Sequence, residues 1–298
     1  MTKYDIMTSL GKGEKCMEKY LELFLAQTKI KGSDKTVKDY ERSIRKFLSK
    51  CNKSLEEIEY EDLLNYYNNE FQSLKTNSKK TYMAGILSFF KFLYRQSYIK
   101  NDIGKAFILP KSEVRDMEYL NSQESLIAAR TCDLEKRNPL RKKAMFIMFV
   151  NTGMRASELS NLKLEDIGDE WINIKNAKGN KFRKIPLHNS VKVAIKNYIQ
   201  NERKNVGQYL FVNQQGKQLS TVIINRDLNS IISKTSINKH ISAHRLRDSF
   251  ATIQYINGSD IKSIQETLGH NNIQMTLHYV QKVDEKRREQ ILNAGVQF

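Results

Sequence analysis

Cysteine, proline and tryptophan are scarce in this chain: three, three and one of 298 residues. Cys16, Cys51 and Cys132 are scattered and odd in number. They show neither metal-ligand spacing nor a disulfide framework, and read as reduced thiols. No apolar run approaches the roughly 20 residues that a membrane helix needs. The opening Met1-Thr2-Lys3-Tyr4-Asp5 lacks the apolar stretch of a secretory leader, so a cytoplasmic protein is expected. There is no GxxxxGK[ST] loop and no HExxH pair, and neither a nucleotide cofactor nor a metal is expected. Acid is also in short supply. Fifty Lys and Arg stand against 33 Asp and Glu, a formal charge of +17, which favours a polyanionic partner.

The excess is not confined to a tail. Residues 1–110 carry 20 basic and 14 acidic groups, and residues 111–298 carry 30 and 19. Residues 13–105 read as helices. Met17, Tyr20, Leu21, Phe24 and Leu25 form one apolar stripe, and Val37, Tyr40, Ile44, Phe47 and Leu48 a second, with Ser33-Asp34 as capping candidates. A short third helix holds Leu63, Leu64 and Tyr67, and a fourth Tyr82, Ile86, Phe89, Phe90 and Leu93. Aromatics at this spacing are expected in a core rather than as a base-stacking surface. The opposite faces carry Lys35, Lys38, Arg42, Arg45, Lys79 and Lys80, the candidate duplex contacts of this half. Pro110 and the polar run after it place a linker at 106–118, with residues 1–12 as a lead and 119–298 as a second domain.

That second domain reads as mixed. Asn121 or Ser122 caps a helix, and Ala144 to Val150 is a buried one. Residues 171–174 and 183–187 look like strands joined by a hairpin with Lys178-Gly179-Asn180 at its tip. Ser220-Thr221 and Ser242 open further helices. The fold expected is mainly α with a small β-sheet.

Five separated pieces carry chemistry: Thr152-Gly153-Met154-Arg155-Ala156-Ser157-Glu158-Leu159, Lys178, His244-Arg245-Leu246-Arg247, Leu268-Gly269-His270, and Tyr279 nine residues after that histidine. Two guanidiniums, an ammonium, two imidazoles and a phenol suit one phosphodiester, whose added transition-state charge must be met by fixed cations and donors. In their order and spacing these pieces resemble the boxes of the tyrosine recombinases, the phage integrase family.

The resemblance implies a core-binding domain (13–105) and a catalytic domain that together form a C-shaped clamp on double-stranded DNA, and strand exchange without metal or ATP. It implies Tyr279 as nucleophile, leaving a 3′-phosphotyrosyl bond, and Arg155 and Arg247 as the clamp on the non-bridging oxygens. His270 becomes a phosphate donor, Lys178 the acid for the departing 5′ oxygen and His244 the proton acceptor. Glu158 is expected to orient the arginines. Lys181, Arg183 and Arg245 are further candidate DNA contacts. A tetramer on two DNA sites, with a C-terminal helix exchanged between protomers and the enzyme on the nucleoid, completes the expectation.

Two departures stand out. Asp248 follows Arg247 where the family often has histidine, and Val280-Gln281 follow the tyrosine where many members have histidine two places on. Neither is expected to touch the catalytic set. With a first module starting near residue 13, no separate arm-binding domain is expected, which suits a Xer-type resolvase or a small-element integrase. A type IB topoisomerase would share the chemistry but act as a monomer. A catalytically silent DNA-binding protein would have no need of Tyr279 or Lys178.

Overall fold

The computed structural model describes residues 17–30, 32–111, 118–177, 181–204, 207–270, 272–277, 279–280 and 283–284. The chain divides into two compact units, residues 1–115 and 116–298. It is mainly helical, with one small two-stranded sheet. Among the described residues no helix is long and apolar enough to cross a membrane.

In the first unit the helical stripes close on one another. Helix α1 covers residues 17–30. It is followed by α2 (Asp34–Cys51), α3 (Tyr60–Glu70), α4 (Thr76–Arg95) and the one-turn α5 (Ile103–Ala106). The Ser33 hydroxyl accepts from the Thr36 N–H and so starts α2, while Asn52, in the left-handed region, ends it by donating to Leu48. Leu21, Phe24, Ile44, Phe47, Leu63, Met83, Ile86, Phe89, Phe90 and Leu93 are all buried in one core. Phe47 meets Tyr66 and Phe90 edge-on, at ring-centroid distances of 5.0 and 5.8 Å. The aromatic stripes are therefore packing surface, each buried ring contributing on the order of 1.5–3 kcal/mol. Phe107, inside the stretch read as linker, is buried against Tyr60 and Tyr67.

The second unit is built around α7 (Pro139–Thr152). Ala144, Met145, Phe146, Met148 and Phe149 leave no exposed area, as befits a helix apolar on most of its circumference. Around it lie α6 (Ser122–Thr131), α9 (Asn189–Asn201), α10 (Thr221–Ile232) and α11 (Ala243–Ile256). Asn121, Ser220 and Ser242 each supply the N-cap oxygen of the following helix. Strands β1 (Trp171–Ala177) and β2 (Lys181–Pro186) pair antiparallel with Ile172 opposite Ile185. The hairpin tip lies outside the described residues. Short helices α8 (Ala156–Asn161) and α12 (Ile261–Leu268) flank the place where the motif residues meet. The segment carrying Tyr279 follows α12, and the tyrosine is buried with Phe250, Ala251, Ile264 and Leu268.

Candidate active site

Two left-handed glycines set the geometry. Gly153 (φ +59) ends α7 and Gly269 (φ +66) ends α12. A Cβ on Gly153 would sit 2.5 Å from Phe250 Cδ1 and 2.6 Å from Leu268 Cδ2, so only glycine fits there. Each turn exposes carbonyl oxygens at the negative end of a helix, where cations are favoured.

Arginines take those carbonyls one by one. Arg183 donates through Nε to Thr267 O at 2.8 Å, Arg247 through Nη2 to Leu268 O at 2.6 Å, and Arg155 through Nη2 to Gly269 O at 3.4 Å. Arg247 also donates through Nη1 to Gly153 O at 2.6 Å, tying the end of α7 to the end of α12. Burial, with the neighbouring charge of Arg155, lowers the Arg247 pKa to about 10, so it stays cationic at neutral pH. Among the described residues, two of its five N–H donors are taken, by Gly153 O and Leu268 O.

Glu158 is the counter-charge. Its carboxylate accepts from Arg155 Nη1 at 2.8 Å and from both Nη atoms of Arg183 at 2.8 and 2.9 Å. The Arg155 backbone N–H donates to it as well, at 2.7 Å, closing the first turn of α8. Burial raises the carboxyl pKa, but the hydrogen bonds and charge of Arg183, then those of Arg155, overcome this and hold it at about 2. Glu158 thus pairs with Arg155, and with Arg183 through two further hydrogen bonds. Arg183, a candidate DNA contact, has its guanidinium engaged with Glu158 and Thr267, where β2 meets the end of α12.

Tyr279 lies near the arginines, only 6 % exposed, with its ring stacked near the His270 ring at a centroid distance of 6.3 Å. Its hydroxyl donates to Asp248 Oδ1 at 2.8 Å. That corrects the expectation that Asp248 stays clear of the catalytic set. Position 248 is one past Arg247 on α11, and its carboxylate meets the nucleophile candidate directly. Burial, then the Asp248 charge and hydrogen bond, push the phenol pKa up against the opposing charges of Arg247 and Arg155. Arg245, another expected DNA contact, sits with Nη1 3.6 Å from Asp248 Oδ2.

His270 is buried, its Nδ1 3.0 Å from Thr276 Oγ1. Burial, with Arg247 and Arg155 nearby, lowers its pKa to about 4, so the ring is neutral at pH 7. His244 is exposed in the first turn of α11, close enough to His270 for its charge to act there. It has no hydrogen bond to Tyr279. Lys178 and its turn and the C-terminal segment expected to join protomers lie outside the described residues, as does the lead 1–12. The Lys181 side chain does too.

In the first unit, Lys35, Lys38 and Arg42 are exposed along one face of α2 and make no ion pair among the described residues. Arg45, one turn on, is different. It is held by Glu18 and Glu41 at 2.6 and 2.9 Å. Lys79 lies over the Tyr67 ring at 5.6 Å, and Lys80 is half-buried.

Residues 119–286 match the phage integrase family, and residues 18–97 match the phage integrase N-terminal SAM-like domain. The chain belongs to the phage integrase family. It is accordingly a tyrosine recombinase. The tyrosine recombinase XerD of Staphylococcus saprophyticus is 31 % identical over 276 residues, 88 % of this chain and 92 % of that one. The tyrosine recombinase XerC of Bacillus subtilis (strain 168) is 30 % identical over 281 residues, 88 % and 91 % of the two. Among solved structures, the XerH site-specific recombinase bound to difH substrate in a pre-cleavage complex aligns with a TM-score of 0.65 and 25 % identity. That alignment covers 84 % of this recombinase and 78 % of XerH.

Proposed function

We propose that this recombinase cuts and rejoins duplex DNA at a specific site through a 3′-phosphotyrosyl link to Tyr279. The observation that carries the reading is the docking of Arg155 and Arg247 on the carbonyls at the end of α12, beside the buried phenol. Around this point, among the described residues, Arg155, Arg183, Arg245 and Arg247 face Glu158 and Asp248, four cations against two anions. The surplus suits one phosphodiester.

Arg155 and Arg247, already fixed by protein acceptors, direct their remaining N–H groups at the non-bridging oxygens. Preorganised donors of this kind lose no reorganisation energy when transition-state charge develops. His270 is neutral and can accept the Thr276 hydroxyl proton at Nδ1, leaving Nε2–H to donate to phosphate. His244 adds a second donor from the solvent side. Tyr279 Oη attacks phosphorus and the 5′ oxygen leaves, with Lys178 as its proton donor by family resemblance. The hydroxyl of a partner strand then reverses the step. The bond is conserved in the covalent link, so no nucleotide is consumed. Two duplexes held by four protomers, in the cytoplasm on the nucleoid, form the working assembly in this reading. Domain limits of 13–105 and 119–298, with the first domain also on duplex DNA, belong to the same proposal.

Incubating the protein with fragmented genomic DNA, denaturing it with SDS and sequencing what stays covalently attached tests this and identifies the site. Tyr279→Phe keeps the packed ring and should retain DNA while forming no adduct. A normal yield of adduct from the variant would remove Tyr279 as nucleophile.

A further inference from the structure

A phenol that attacks phosphorus must lose its proton, and in this chain the acceptor already in place is a carboxylate. Tyr279 Oη and Asp248 Oδ1 are 2.8 Å apart, in a spot where the two residues are 6 % and 4 % exposed. Water is therefore a poor competitor for the proton. Other charged and titratable groups stand near the pair among the described residues. Arg245 stands 3.6 Å from the second oxygen, Oδ2, and so favours Oδ1 facing the phenol. Arg247 and Arg155 act on Tyr279 from the phosphate side as charges. The His270 ring lies alongside, but its Nδ1 is engaged with Thr276. His244, the residue the motif suggests for the task, is exposed and not bonded to the phenol.

We propose that Asp248 is the general base of this recombinase, taking the Tyr279 proton during attack and returning it when the phosphotyrosyl bond breaks. The inference rests on Tyr279 being the nucleophile. In the forward step an Oη lone pair forms the O–P bond, and the O–H pair stays with Oη while the proton moves to Oδ1. The P–O5′ bond breaks with its pair on the 5′ oxygen, which is protonated from the other side of the phosphate. In the reverse step a 5′ hydroxyl attacks and returns its proton to the group on its own side of the phosphate that had supplied it, while Oη departs with the P–O pair and takes the hydrogen of the protonated Asp248.

At rest the proton belongs to Tyr279, since burial and the adjacent carboxylate both disfavour a phenolate. The enzyme therefore holds no free nucleophile until phosphate arrives between the arginines. As the O–P bond develops, the phenolic oxygen becomes more acidic and the proton can pass along the hydrogen bond already made. This couples ionisation to attack, so that a misplaced phosphate does not meet an activated tyrosine.

The test is single-turnover cleavage of a nicked duplex carrying the site recovered from wild-type adducts, between pH 6 and 10, by wild-type protein and Asp248→Asn. Asparagine keeps the shape and an acceptor oxygen but cannot hold the proton. Cleavage should fall by about 10²-fold or more at pH 7, with DNA binding retained, and should recover as pH rises and solvent base takes over. Installing 3,5-difluorotyrosine at position 279, a more acidic phenol, should restore much of the variant's rate while changing wild type little. The same pair of phenols in an Asp248→Ala background covers the case in which asparagine folds poorly. Asp248→Asn cutting at the wild-type rate with the wild-type pH profile would overturn the proposal. So would a loss equal at every pH and untouched by the fluorinated phenol, which would mark Asp248 as a support only. If wild type forms no adduct, or Tyr279→Phe still does, the reading of the site fails before Asp248 is in question.

Discussion

Glu158 shows how one side chain can set the charge of a site it does not touch chemically. It is nearly fully buried and pairs with two guanidiniums, leaving Arg155 partly open. Its folded pKa, about 2, is depressed below the ordinary glutamate value near 4.3. A depressed carboxyl stabilises the fold fully above the ordinary value and loses that contribution as pH falls toward 2, because the unfolded chain takes up the proton first. Glu158→Gln removes the charge at all pH. It should lower unfolding stability of the catalytic unit by about 3–5 kcal/mol, the range for stripping one partner from a buried ion pair. Urea titrations should find that gap at pH 7 and find it narrowing between about pH 4 and pH 2. A variant as stable as wild type at pH 7 would mean that water or another group compensates Arg183.

At the scale of elements, what holds the site is the joint between the ends of α7 and α12. Gly153 packs on Phe250 and Leu268, which share a cluster with Tyr279, and its carbonyl receives Arg247. Gly153→Ala should cost about 1–2 kcal/mol for the left-handed backbone and about 1–3 kcal/mol more for overpacking, together with most of the cleavage activity. Gly258 is the control: its φ is also positive (+89), yet nothing lies within 4 Å of an added Cβ. Gly258→Ala should show the backbone cost alone, measured by thermal unfolding, and keep activity. Equal losses for the two would put the importance of Gly153 in its backbone rather than its contacts. This joint also marks the limit of what could be read in advance. The stripes of α2 and α4, the caps at Ser33, Asn121, Ser220 and Ser242, and the hairpin were legible because each depends on residues a few positions apart. The motif boxes located Arg155, Arg247, His270 and Tyr279 by spacing. The contact of Asp248 with Tyr279 and the pairing of Arg183 with Glu158 were not foreseen, because the partners lie 31 and 25 positions away. The available hints were weak. A carboxylate beside a motif arginine, and a lone arginine on a strand next to the motif lysine, are both more often surface features.

Over the whole molecule, charge decides how the partner is held, yet net charge alone does not say which cations contribute. Both units are basic, and the total is +17. Each phosphate contact releases condensed counterions, so log affinity should fall with log salt by about 0.9 per contact on duplex DNA. The face of α2 offers a direct way to count. Lys35, Lys38 and Arg42 are exposed and lack ion pairs among the described residues, whereas Arg45 is already committed to Glu18 and Glu41. Removing a free cation from a phosphate costs a released counterion. Removing a paired one also frees its carboxylates, and the slope should change little. Replacing Lys35, Lys38 and Arg42 together by alanine in the full chain should make the salt slope shallower by up to about 3, while Arg45→Ala should leave it within error of wild type. Fluorescence anisotropy on a labelled duplex of the recovered site, over a salt series, measures both. A triple variant with the wild-type slope would take α2 off the DNA. A large change for Arg45→Ala would mean that binding breaks its pairs with Glu18 and Glu41 and recruits it to the phosphates.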